Sequence, residues 1–168
     1  MPETKTGASI EVTALAKGEA TIKAVCDSFE ATYDISVVDE ILPVTVSETI
    51  KNVASNNKWE DSTKYNSFNL DENITVKCSS GTNTGKYYSK DLSWRLYSSE
   101  KGQLIISSEK KLIISVTITF LTTDSPTVKY GSNTVTSGSA VNFDPSSSIT
   151  FDVTSGKLHL TAISVQYK

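Results

Sequence analysis

Residues 111–122 read KLIISVTITFLT, and their alternation decides the class of the fold. Leu112, Ile114, Val116, Ile118 and Phe120 fall on one side of an extended chain, with Ser115, Thr117 and Thr119 on the other, which is the period of two of a half-buried β-strand. A helix would repeat its apolar positions every three or four residues, and this run does not. Neighbouring segments carry the same signal. NITVKC (73–78) sets Ile74, Val76 and Cys78 on one face, GQLIISS (102–108) is a short apolar run between turns, and SITFDV (148–153) alternates Ile149, Phe151 and Val153. In TVKYGSNTVTSGSAVNF (127–143), Val128 and Tyr130 precede a tight turn at residues 131–133, and Val135 precedes a second turn at Gly138. In GKLHLTAISVQYK (156–168), Leu158 and Leu160 keep one phase and Ile163, Val165 and Tyr167 the other. The flip at Thr161 and Ala162 predicts a β-bulge.

Composition agrees with a β-rich globular chain. Of 168 residues, 25 are Ser and 21 are Thr, a content that favours strands and polar turns over helices. Hydrophobic residues make up 38% and charged residues 21%, enough apolar material for a core and too little charge for an obligately disordered chain. Residues 1–40 carry three Lys against eight Asp or Glu, and the net charge of the whole chain is −3, so neither part announces a nucleic-acid partner. No run approaches the roughly 18 apolar residues that span a membrane, so no membrane insertion is expected. The opening MPETKTGAS does not read as an export signal. Cys26 and Cys78 lie in separate strand-like segments with no close spacing; a bridge between them is open, and two buried free thiols are the preferred reading.

About nine short strands at roughly ten-residue spacing predict an antiparallel, jelly-roll-type β-sandwich over residues 41–168. VDEILPVTV (38–46) reads as a linker into it, with Pro43 holding Leu42 extended, and SETIKNVASNNKW predicts one short helix with its N-cap at Ser47. Before the linker, Ala20, Ile22, Ala24 and Cys26 alternate on one strand and Ala31, Tyr33, Ile35 and Val37 on the next, a β-hairpin within a separate unit of residues 1–40.

VTALAKGEATIKAVCDSFEATYDISV, residues 12–37, resembles the closing half of the bacterial Ig-like group 2 module, in which a V-T-A-x-x-x-G-x-A-T-I core leads into a final Tyr-x-Ile-x-Val strand. Such a module normally needs about twice the length before its last strand, and only eleven residues precede Val12. The expected unit is therefore a partial Ig-like sheet, belonging to a longer chain or completed by the second unit or by another chain. Beyond it, the order of a GKYY loop, a WR-x-Y strand, an LIIS strand, an SVTITF strand and a closing strand LTAISVQY is similar to a β-sandwich module appended to Ig-like group 2 repeats in large bacterial surface proteins. The resemblance implies a non-enzymatic binding or adhesion module, exported or at the cell surface, with a glycan or another surface protein as partner. The alternative is a structural or decoration protein of a virion, assembling with copies of itself or with other chains.

Catalytic constellations are hard to assemble. His159 is the one histidine, out of phase with Leu158 and Leu160, and reads as a solvent-facing or partly covered sheet residue. Neither a Ser-His-Asp or Cys-His motif nor a zinc-ligand spacing accompanies it. Glu60-Asp61, Asp71-Glu72 and Asp39-Glu40 read as solvated loops before they read as a glycosidase pair. A structural calcium ion on Asp71, Glu72 and Asn73 is possible, although the spacing is that of no known calcium loop; no other cofactor is expected. Gly81, Gly85 and Gly102 are turn residues without a phosphate-loop pattern, and the Asn73-Ile74-Thr75 sequon lies in a strand.

The aromatics remain. Flat sugar faces are held on aromatic planes rimmed by hydrogen-bond donors, and Tyr87, Tyr88, Trp94, Arg95 and Tyr97 supply those types within eleven residues. Strand parity divides them: Trp94 and Leu96 point one way, Arg95 and Tyr97 the other, and Tyr87 and Tyr88 must split. With Trp94 in the core, Arg95 and Tyr97 are the leading candidates for a ligand site. Tyr87, Tyr88 and Trp59 are further candidates, Trp59 together with Tyr65 in the polar stretch after the helix.

Overall fold

The computed structural model describes residues 12–13, 15–38 and 41–168. The chain divides into two compact units, the first ending at Ile41 and the second running from Leu42 to Lys168.

Among its described residues the first unit contains one antiparallel pair, β1 (Gly18–Cys26) and β2 (Phe29–Val37). Ala20 faces Ile35, Ile22 faces Tyr33 and Ala24 faces Ala31, so the apolar residues meet across the strands as their alternation requires. The two-residue turn between Cys26 and Phe29 places Asp27 at φ 52°, the conformation that tight hairpin turns favour and that Asp tolerates. Among the described side chains of this hairpin, Ile22, Ile35 and Val37 are half-buried, while Val25, Phe29 and Tyr33 stand exposed.

The second unit is the antiparallel β-sandwich with one short helix that the alternation predicts. Its first sheet runs in the order β11 (Asn133–Thr134), β10 (Thr127–Tyr130), β13 (Ser148–Ser155), β8 (Gln103–Ser107), β5 (Thr75–Cys78), β4 (Ser67–Asn69). The second runs β12 (Ala140–Ser146), β9 (Ile113–Leu121), β14 (Lys157–Tyr167), β7 (Ser93–Tyr97), β6 (Lys86–Tyr88). From β7 to β10 each successive strand crosses to the opposite sheet, so both inner faces are built together. Trp94, Leu96, Leu158, Leu160, Val116 and Ile118 of one sheet join Val76, Leu104, Ile106, Val128 and Phe151 of the other in a single core.

β14 is the spine of the second sheet. One edge pairs along its length with β9; the other pairs first with β7, over Lys157–Leu160, and then with β3 (Val44–Thr49), over Ala162–Tyr167. The changeover coincides with a register shift between Leu160 and Ala162, the bulge that the phase flip predicts. The stretch expected to be linker is thus partly strand: β3 carries Val46 half-buried against the core, and its Ser47 hydroxyl donates to that of Ser164 at 2.7 Å. The helix, α1 (Ile50–Asn56), starts later than expected. Its N-cap is Thr49 rather than Ser47, with the Thr49 hydroxyl accepting the Asn52 N–H at 3.2 Å, because Ser47 is still engaged in the sheet.

The strand of residues 111–122 departs from perfect alternation at one end. Ser115 pairs with Gln166 and Asn142, and Ile113 with Tyr167 and Ser146, so Ile114 has no counterpart on either side. That bulge turns Ile113 inward and leaves Leu112 44% exposed, reversing the expected phase for Leu112 and Ile114 while Val116, Ile118 and Phe120 are buried as expected. Cys78 is a free thiol that burial pushes up to about 11, which makes it an inert packing group.

Candidate functional site

The WRLY strand separates the candidate residues. Trp94 is fully buried, and its indole N–H lies 2.7 Å from the Gly85 carbonyl and 3.0 Å from that of Tyr65. Gly85 makes this close approach possible. Its φ is +90°, and a Cβ there would stand 2.7 Å from Cys78 Sγ and 2.8 Å from the Tyr65 carbonyl oxygen. Tyr87, only 6% exposed, belongs to the same interior. Trp59 joins it from outside: its ring stacks on Tyr65 at 4.4 Å and meets Tyr87, Phe68 and Trp94 at 5.9, 5.7 and 6.4 Å. Tyr87 and Trp59 therefore close one end of the core and do not share a face with Arg95.

Tyr88, Arg95 and Tyr97 do come together, on the outer face of the second sheet. The Arg95 guanidinium carbon lies 3.8 Å from the centre of the Tyr88 ring, a cation–π stack, and the Tyr88 and Tyr97 hydroxyl oxygens are 3.4 Å apart. Burial, and then the Tyr88 hydroxyl, push the Tyr97 phenol up to about 12. Strand pairing adds two residues: Lys157 stands opposite Tyr97 and His159 opposite Arg95, with Lys157 Nζ 5.9 Å from the Tyr97 ring.

Two loops close over this row. Asp91, between β6 and β7, accepts from Ser93 Oγ at 2.7 Å and from Arg95 Nη2 at 2.7 Å, and its Oδ2 is 2.9 Å from His159 Nδ1. Asp124, between β9 and β10, sets its Oδ2 3.1 Å from His159 Nε2 and 3.3 Å from Lys157 Nζ. His159 is consequently 3% exposed, which corrects the expectation of a solvent-facing or partly covered residue: parity placed it on the outer face correctly, and the loops then buried it. Burial works to raise the Asp91 carboxyl, and hydrogen bonds from Ser93, His159 and Arg95 outweigh it, holding the group below its ordinary value. Contacts with His159 and then Lys157 hold Asp124 low as well.

Sequence reasoning named Tyr88, Arg95 and Tyr97 and missed Asp91, Asp124, Lys157 and His159 as their neighbours. Only the spacing of Asp91 four residues before Arg95 was visible in the sequence; the rest depends on which strands pair. The cluster contains a carboxylate–imidazole contact but its one serine, Ser93, is fully buried and donates to Asp91. Chemically, the arrangement offers two half-buried phenols, a guanidinium and an ammonium on rigid strands, suited to holding a hydroxyl-rich ligand.

Of the calcium candidates, Asp71 is engaged within the fold. Asp71 Oδ1 accepts the Asn73 and Ile74 N–H groups at 2.8 and 2.7 Å, and Oδ2 accepts the Tyr167 hydroxyl at 2.7 Å, forming a side-chain-closed turn. Among the described residues, His, Cys, Asp and Glu gather nowhere in a group of three that could hold a metal ion, and no helix is long and apolar enough to cross a membrane. A shallow groove of about 210 Å³ lies between β3, α1, β9 and β14, lined mainly by Ser, Thr and Asn side chains.

No family model matches this chain, and neither a curated protein nor a solved structure does.

Proposed function

We propose that the chain is a non-enzymatic binding module that holds a glycan on the outer face of its second sheet, as part of a bacterial surface or secreted protein. The observation that carries this reading is the Tyr88–Arg95–Tyr97 cluster. An aromatic ring with a guanidinium stacked on it and a second phenol beside it gives apolar contact for a sugar face and donors for its hydroxyls. Its residues lie on paired strands, and Asp91 ties down Arg95, so little ordering remains for a ligand to impose. The resemblance of residues 12–37 to the Ig-like group 2 module supports the surface setting.

A glycan-array screen of the full chain tests it. Binding is expected, and Arg95→Ala with Tyr97→Ala is expected to weaken it at least about tenfold, as loss of an aromatic anchor with a charged donor does. Binding untouched by the double substitution, or absent across the array, would sink the proposal.

A second reading rests on the hairpin. A two-stranded sheet is marginal in water by itself, and Val25, Phe29 and Tyr33 are exposed on it. A structural or decoration protein of a virion, whose partner chain supplies the missing strands, would account for that surface. Native mass spectrometry showing only monomer at every concentration would count against it.

A further inference from the structure

His159 holds a position unlike that of any other titratable group described. Each ring nitrogen faces a carboxylate oxygen, and the two carboxylates come from different loops: Asp91 at 2.9 Å and Asp124 at 3.1 Å. Only the doubly protonated imidazolium donates at both nitrogens, since a neutral ring has one N–H and one lone pair. With both carboxylates held ionised, the neutral ring necessarily turns a lone pair toward one of them.

Which contact yields follows from the surroundings. Asp91 is the less exposed carboxylate and is bound by Ser93 and Arg95 besides, so the ring proton that remains belongs on Nδ1. Asp124 is more exposed, and Lys157 offers it a partner in solvent. The Asp124 loop is also under backbone strain: Asp124 and Ser125 adopt φ of 64° and 45° in succession, a left-handed pair that residues other than glycine seldom adopt side by side. One internal bond, the Ser125 N–H to the Thr122 carbonyl at 3.1 Å, closes the turn, and Gly156 packs directly beneath it.

We propose that His159 is a proton-dependent clasp for this loop: protonated, it bridges Asp91 and Asp124 and holds residues 122–125 down; neutral, it keeps Asp91 and releases Asp124. The groups that face the ring are Asp91 from the β6–β7 loop, Asp124 from the β9–β10 loop, Arg95 from β7 through Asp91, and Lys157 of its own strand through Asp124. Losing one ring proton removes the second donor, so the loop is held on the acid side and freed as pH rises. The consequence for ligand rests on the reading proposed above. Lys157, beside Tyr97, is fixed by Asp124 while the clasp is closed, so the platform is complete on the acid side and loses this rim on the alkaline side.

Nuclear magnetic resonance on the full chain tests the clasp between about pH 5 and pH 8. The His159 ring protons and the amides of residues 122–127 are expected to shift with one shared midpoint. Exchange of the Ser125 amide, corrected for its intrinsic pH dependence, is expected to rise on the order of tenfold across it, the worth of a charge-assisted hydrogen bond. Asp124→Asn should abolish that step. His159→Gln should leave the loop in fast exchange at every pH. Loop amides that ignore the ring titration, or a step unchanged by Asp124→Asn, would overturn the clasp. A loop step without glycan binding overturns only the platform, and glycan binding with a pH-flat loop overturns only the clasp.

Discussion

Asp71 shows how much one side chain holds in this protein. Its two oxygens close the turn before β5 and bind the Tyr167 hydroxyl at the far end of the spine strand, joining residues 96 positions apart in sequence. Burial works to raise its carboxyl, and the hydrogen bonds from Tyr167 and from the Asn73 and Ile74 amides outweigh it, so its folded pKa lies below the ordinary carboxylate value. A depressed folded pKa stabilises the fold fully above the ordinary value and fades as pH falls through the folded one. Asp71→Ala is therefore expected to cost about 1–3 kcal/mol at neutral pH and less in acid. Denaturant titrations near pH 7 and pH 3 check this, and an equal loss at both would refute the assignment. Nothing in Asp71-Glu72-Asn73 distinguished this role from a calcium loop or a solvated turn, because the deciding partner is Tyr167.

At the scale of elements, period two told which residues face inward wherever the ladder is regular. Trp94 against Arg95, Leu158 against His159, and Tyr87 against Tyr88 all divide as parity requires, and the bulge at Thr161 was legible because both phases were long enough to compare. The Ile114 bulge was not: an unbroken apolar run, Leu112 to Ile114, hides the change of phase. Burial of His159 was hidden for another reason, since the loops that cover it come from elsewhere in the chain and loop closure leaves no periodic trace. The β5–β6 connection has an equally local requirement. Gly85→Ala puts a Cβ against Cys78 and the Tyr65 carbonyl at a φ that L-residues avoid, and displaces the two carbonyls that receive the Trp94 N–H. A loss of about 2 kcal/mol or more is expected by thermal or denaturant unfolding. A variant as stable as the parent would show that the connection relaxes freely.

For the whole molecule, the distribution of the core matters most. Among the described residues, every member of the buried apolar cluster lies between Ile50 and Tyr167, and none belongs to the hairpin. Residues 42–168 expressed alone are expected to unfold cooperatively at a midpoint within about 4 °C of the full chain, a difference that corresponds to roughly 1 kcal/mol or less. Calorimetry of the two proteins decides it, and a truncated chain that fails to fold would show that the first unit contributes to the sandwich.

The spine strand has a consequence in time. All three neighbours of Lys157–Tyr167 precede it in the sequence, and the Ser47–Ser164 hydrogen bond alone spans 117 residues. β9, β7 and β3 have no common partner until that segment is present, so the second sheet must assemble late and nearly all at once. Closing such long loops before any pairing rewards them slows folding, toward the millisecond-to-second regime of all-β chains. A ribosome-bound chain that has not yet released β14 carries three strand edges with nothing to pair them, and its protection until release falls to whatever shields nascent chains.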